Sequence, residues 1–258
     1  MKILKAMKTS TNKTKRVSLL IAVGLMAVIM PSCIKTEFFP CLRPEGERIE
    51  EVREVSHPFQ SLELRLHGNV FVREGRKPEV LVEAPENFLE HIVTGFSDGN
   101  LIIRADRCLR TKRDDINIFV VMPALDRIRI AGSGYILLED TFAMVQGEID
   151  IAGSGKVTGK IKANKLKTSI SGSGEVELSG YGTSQDIYIS GPGEVRALEL
   201  KCREADIRIN GSGNVYVQVK DKITARISGS GNIYYLGNPE VSYDVNGMGK
   251  LIYLDKTK

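Results

Sequence analysis

The chain has 258 residues, 42% hydrophobic and 26% charged, which is enough apolar content for a packed core and excludes wholesale disorder. The formal charge of +4 comes from one end: residues 1–32 hold six of the 36 Lys and Arg (Lys2, Lys5, Lys8, Lys13, Lys15 and Arg16) and none of the 32 Asp and Glu, leaving 30 basic residues against 32 acidic ones. A body this close to neutrality has no electrostatic footing for nucleic acid, and no nucleic-acid partner is expected.

After the basic segment comes an apolar run from Val17 to Met30, broken by Ser18. It is shorter than the roughly 20 residues of a spanning helix and suits a secretory signal. Met30-Pro31-Ser32-Cys33 closes it. A small residue followed by Cys at this place resembles the cleavage box of bacterial lipoproteins, which implies that Cys33 becomes the first mature residue and is acylated. Acyl chains would anchor it through about 0.8 kcal/mol per buried methylene. An unacylated Cys33 behind an ordinary signal peptide is the alternative, although no A-x-A site lies nearby. Residues 1–32 are therefore read as a signal peptide of lipoprotein type and 33–47 as a tether. Cys41, Cys108 and Cys202 remain, enough for one bridge. Cys41 and Cys108 lie in polar, turn-like stretches and form the candidate disulfide. Cys202 alternates with Leu198 and Leu200 and reads as core.

Residues 48–126 contain strand-like runs at Leu62–Leu66, Val70–Val72, Val80–Val82, Leu101–Ile103 and Ile116–Val121. Pro85–Ile92 reads as one short helical turn with Pro85 in its first position. Ser97-Asp98-Gly99-Asn100 signals a hairpin turn. Leu64–Val70 reads as a partial copy of the repeat that follows, lacking its second Gly. The region is expected to be an irregular N-terminal β part that caps the first coil, either as a separate domain or as the opening coils of one fold.

From residue 127 to 258 a Gly-x-Gly triplet recurs, with first glycines at 132, 153, 172, 191, 211, 229 and 247, spaced by 21, 19, 19, 20, 18 and 18 residues. Two residues before the first Gly stand Ile130, Ile151, Ile170, Ile189, Ile209, Ile227 and Val245. Four after it stand Ile136, Val157, Val176, Val195, Val215, Ile233 and Leu251. Between these columns the residues are polar and variable. Period-2 columns of β-branched residues on both sides of a tight turn are strand, turn, strand, with one face buried. One unit cannot bury its apolar face alone, whereas stacked units can. The expected fold is all-β: a single-stranded, right-handed parallel β-helix of about 19-residue coils. Propeller blades repeat at about twice this period, so a propeller ranks below the solenoid.

The Ile-x-Ile-x-Gly-Ser-Gly-x-Val repeat resembles the putative auto-transporter adhesin, head GIN domain family, over roughly residues 60–254. The run from Val120 to Ile130 and the Asp98-Gly99-Asn100-Leu101 turn fit the same resemblance. It implies a secreted or envelope-anchored parallel β-helix, often a lipoprotein, and it supplies no catalytic residues. Gly191-Pro192-Gly193 and Gly247-Met248-Gly249 depart from the Gly-Ser-Gly form, with local effects expected.

The Gly-rich turns match neither a P-loop nor a dinucleotide fingerprint, because both need a following helix. His57, His67 and His91 are far apart and lack ligand spacing. No metal site, cofactor or catalytic residue is expected. Glu175 and Glu194, with Glu177 nearby, are the one carboxylate cluster with expected adjacency, and an enzyme acting on carbohydrate would use it. Arg208, Asn214, Tyr216, Arg226, Asn232 and Tyr234 are outward positions on two coils and form the candidate binding face, with a cross-coil structural ladder as the alternative.

The first reading is a non-enzymatic, lipid-anchored protein of the cell envelope, an outer-membrane lipoprotein acting as adhesin or binding scaffold. Its expected partners are the membrane, through the lipid anchor, and a glycan or an envelope protein. Whether it faces the periplasm or the cell surface stays open. A carbohydrate-active enzyme is the second reading. A structural protein that forms homo-oligomers through its coil ends is the third.

Overall fold

A computed structural model describes residues 40–255 apart from residue 113. The signal segment, Cys33 and residues 34–39 of the tether lie outside the described residues. From Cys41 onward the described residues form one compact unit.

The repeat folds as its columns require. Strands β9 (Tyr135–Gly153), β10 (Lys156–Gly172), β11 (Glu175–Gly191), β12 (Glu194–Gly211) and β13 (Asn214–Gly229) are each nearly one full coil. Each pairs in parallel with the next. Ile151, Ile170, Ile189 and Ile209 lie side by side on successive coils, as do Val157, Val176, Val195 and Val215, and all are buried. Burial of each such side chain contributes about 1.5–3 kcal/mol, and only the neighbouring coils supply the cover. Alternation in β12 runs through Val195 and Ala197, slips phase to Leu200 and Cys202, and slips again to Ala205, Ile207 and Ile209. The two slips and the Gly-Ser-Gly turn give the coil three corners. At the turn, Ser173 N donates to Gly153 O and Glu175 N to Gly155 O. Gly172 has φ +119°, and a Cβ there would lie 2.5 Å from Gly153 O, so the column of first glycines reflects contact between backbones.

Before the repeat, β2 (Ser61–Arg65) and β3 (Asn69–Glu74) form a rung beside β8 (Arg127–Gly132) and β9, with Leu64 opposite Ile130 and Val70 opposite Ile136. This register sets Gly68 against Gly134 and Leu66 against Gly132. The partial copy therefore keeps the second Gly and lacks the first, the reverse of the sequence expectation. Leu66 is tolerated because its turn stands where no coil of the Gly-x-Gly series precedes it.

The next rung outward comes later in sequence. β6 (Asn100–Ala105) pairs in parallel with β2, and β7 (Asn117–Met122) with β3. The chain then passes back to the other side of β2 to begin β8. Beyond this rung the pairing turns antiparallel, with β4 (Glu79–Pro85) on β7, β1 (Arg48–Arg53) on β4 and β5 (Ile92–Ser97) on β6. The β5–β6 hairpin turns through Asp98 and Gly99, both at positive φ, as a two-residue turn between twisted strands demands. Helix α1 (Glu86–Leu89) links β4 to β5 and buries Phe88 and Leu89. Pro85 sits at its N-cap, still in β4, one place before the position expected for it. The core is continuous from Phe59 to Ile233. Cys41 and Cys108 are joined in a disulfide, and Leu42 pairs with Leu109 beside it. Cys202 is free and buried. The chain finishes with β14 (Asn232–Leu236), β15 (Glu240–Gly247) and β16 (Lys250–Tyr253).

Candidate binding groove

The coils differ in length, and the differences fall at one corner. Between β9 and β10 the register jumps from Leu137↔Thr158 to Thr141↔Lys160, so β9 carries two extra residues there. β12 likewise bulges around 198–200 against both of its neighbours. The shorter β10 and β11 lie between these bulges and pair without a register shift. Two projecting rungs flank two recessed ones, leaving an open groove of about 680 Å³.

Its lining is aliphatic at the base, with Leu137, Leu138, Leu178 and Leu198, and is closed at one end by Tyr216. Gly159 keeps the base low; a Cβ there would come 2.6 Å from Leu138 Cβ. Lys160, Glu177, Glu194, Arg196 and Glu199 form a rim of both signs. Above the groove, Lys156 Nζ donates to Glu175 (3.1 Å) and Glu177 (3.0 Å), and Arg196 pairs with Glu175 (3.3 Å) and Glu194. Burial works to lower the Lys156 pKa, but its hydrogen bonds to Glu177 and Glu175 and their charges outweigh it and raise it. The hydrogen bond to Glu194 raises that of Arg196. Burial, reinforced by the Glu194 charge, raises the Tyr216 phenol.

Glu175 and Glu194 are direct cross-coil neighbours, but both are held in this ion-pair ladder, and neither is presented as an isolated acid or base. The six residues of the expected binding face divide into two sets. Tyr216 and Tyr234 stack with ring centroids 4.6 Å apart and 6° between planes. Asn214 Oδ1 accepts from the backbone N of Asn232, and Asn232 Oδ1 from that of Lys250, so these amides bond coil to coil. Arg208 and Arg226 adjoin each other on the far side of the turn, and Arg208 is bound to Asp206 and Asp186. Only Tyr216 of the six lines the groove. The histidines stay apart: His57 bonds Ser56, His67 bonds Ser133 and His91 bonds Asp106. Leu137, Leu178, Leu198 and Arg196 were missed by sequence reasoning, which read the coils as alike at about 19 residues. The intervals of 21 and 20 among 18s and 19s were the available signal.

The model of the family described as "Putative auto-transporter adhesin, head GIN domain" matches residues 58–239. No protein of curated function matches the chain. Among solved structures, a protein of Bacteroides fragilis described as a putative adhesin is similar over 83% of this chain and all of its own, at 22% identity and a TM-score of 0.76. One of Parabacteroides distasonis, described as a putative lipid binding protein, covers 84% of this chain and all of its own at 22% identity and a TM-score of 0.67. A putative adhesin of Parabacteroides merdae covers 83% of this chain and 99% of its own at 19% identity and a TM-score of 0.67. At these identities the likeness is one of fold.

Proposed function

The chain belongs to the putative auto-transporter adhesin, head GIN domain family, and from that premise we propose that it is a non-enzymatic binding protein of the cell envelope, anchored in the outer membrane by lipid on Cys33. The corner groove is its binding site, and its ligand is an extended segment of an envelope protein. The observation that carries this reading is the groove itself: a leucine base in which Leu137 and Leu198 are partly exposed suits apolar side chains, and a rim of both charge signs suits a polypeptide better than a neutral sugar.

A fragment spanning residues 41–258, screened against envelope proteins and glycans, tests it. Saturable binding to an envelope protein is expected, weakened by Leu198→Glu and Tyr216→Ala by at least about tenfold and unchanged by Lys167→Gln, far from the groove. Binding of fatty acid instead, or polysaccharide turnover abolished by Glu175→Gln, would overturn it. The anchor is tested separately: Cys33→Ala should end incorporation of labelled fatty acid, and equal incorporation would remove that part of the reading.

A further inference from the structure

At the next corner of the coil, two shallow depressions adjoin and share Tyr181 and Gly182. One, of about 550 Å³, reaches across β9, β10 and β11; the other, of about 600 Å³, reaches across β11, β12, β13 and the Gly237-Asn238 turn. None of their residues lines the corner groove.

The charge pattern here differs from the rest of the coil stack. Three other depressions on the coils are lined by cations and carboxylates together; Lys167 meets Glu148 and Arg208 meets Asp206, while Lys160, Lys165 and Lys222 have acids in the same lining without an ion pair among the described residues. In this trough Lys162, Lys201, Arg203 and Lys220 all line the walls, and no carboxylate does. Arg203 reaches out to Asp221. Among the described residues, Lys162, Lys201 and Lys220 pair with no acid. Lys162 and Lys201 flank Tyr181 on either side in the ladder, and the Lys201 ammonium stands 5.9 Å from the ring centroid. Tyr181 is 59% exposed, so its ring is accessible from the trough. Asn164, Thr183 and Asn238 add amide and hydroxyl groups along the walls. Gly182, where a Cβ would meet only ordinary contacts at 3.6 Å and beyond, leaves the middle of the trough open.

We propose that this trough binds an anionic polysaccharide. A sugar ring lies against Tyr181, its hydroxyls meet the amides, and carboxylate or sulfate groups along the chain meet the three unpaired lysines. Cations repeating along the coil axis at multiples of about 4.8 Å suit a ligand whose charge also repeats. An anionic bilayer would use the lysines but has no need of the amide and hydroxyl groups beside them, so the polymer is the better fit.

The test uses the full chain in mild detergent, with polygalacturonate, dextran sulfate, neutral dextran and phosphatidylglycerol vesicles as probes, at low and high salt. Binding to one or both charged polymers, absent for neutral dextran and weakened by salt, is expected; comparing the two shows whether carboxylate or sulfate is preferred. Tyr181→Ala, Lys201→Gln and Lys220→Gln should each weaken binding by at least about fivefold. Lys167→Gln should not, and neither should Leu198→Glu, which separates this site from the corner groove. No polymer binding, binding to vesicles alone, or weakening by every lysine change equally with none from Tyr181→Ala, would each overturn the proposal.

Discussion

At the N-terminal end of the stack, the β6–β7 rung is followed on both ladders by antiparallel strands, and α1 crosses between them with Phe88 and Leu89 buried beneath it. At the other end, β15 and β16 have one partner each among the described residues, β13 and β14. The sequence columns continue into this last rung as Val245 and Leu251, yet both are only half-buried, while Tyr243, Met248 and Tyr253 are 64%, 79% and 57% exposed. The same residue types in the same columns are dry at Ile189 and wet at Val245, so burial in this fold comes from having a rung on both sides.

That contrast can be broken most severely by a charge in one column. Ile189→Asp sets an unpaired carboxylate between two coils and should abolish the cooperative urea transition. Val245→Asp, with solvent on one side, should lower stability by only about 1–2 kcal/mol. Equal effects would mean that the ends are not different. Phe88→Ala is next, removing a fully buried ring from the cap at a cost of about 3–5 kcal/mol in the same melts. Tyr253→Ala at the open end should cost less than about 1 kcal/mol.

The Cys41–Cys108 bond ties the chain before β1 to the connection between β6 and β7. Replacing both cysteines by serine should cost about 2–4 kcal/mol. Amide exchange should locate the loss, with protection falling first in β1, β4 and β7 and last in β11. Uniform loss across the coils would show that cap and repeat melt as one.

The repeat was legible because seven turns report the same two apolar columns, and one misread residue changes nothing. The cap was not legible to that degree. β1, with the sequence RIEEVR, has no apolar column to betray it, and the placement of β6 and β7 outside β2 and β3 depends on contacts between segments 39 and 48 residues apart, which leave no local period. The hairpin at Asp98-Gly99 was readable because its turn chemistry is local. At the groove, Tyr216 was picked out as an outward aromatic, whereas Leu178 and Leu198 look like ordinary core residues; Leu178 is buried like one, and only Leu198 is partly uncovered at the corner bulge.

The smallest effects belong to the middle position of the turn, where Ser173 in a central coil and Met248 in the last one are equivalent. Both contribute through the backbone: Ser173 N donates to Gly153 O and Met248 N to Gly229 O. The Ser173 hydroxyl has no partner among the described residues. Ser173→Ala and Met248→Ser should therefore each shift stability by less than about 0.5 kcal/mol. This pair probes a different variable from the column substitutions, because a position whose side chain leaves the coil should not register whether one rung or two flank it. A cost for Ser173→Ala well above that of Met248→Ser would show that the hydroxyl is held between rungs, and the turn would then differ between centre and end as the core columns do.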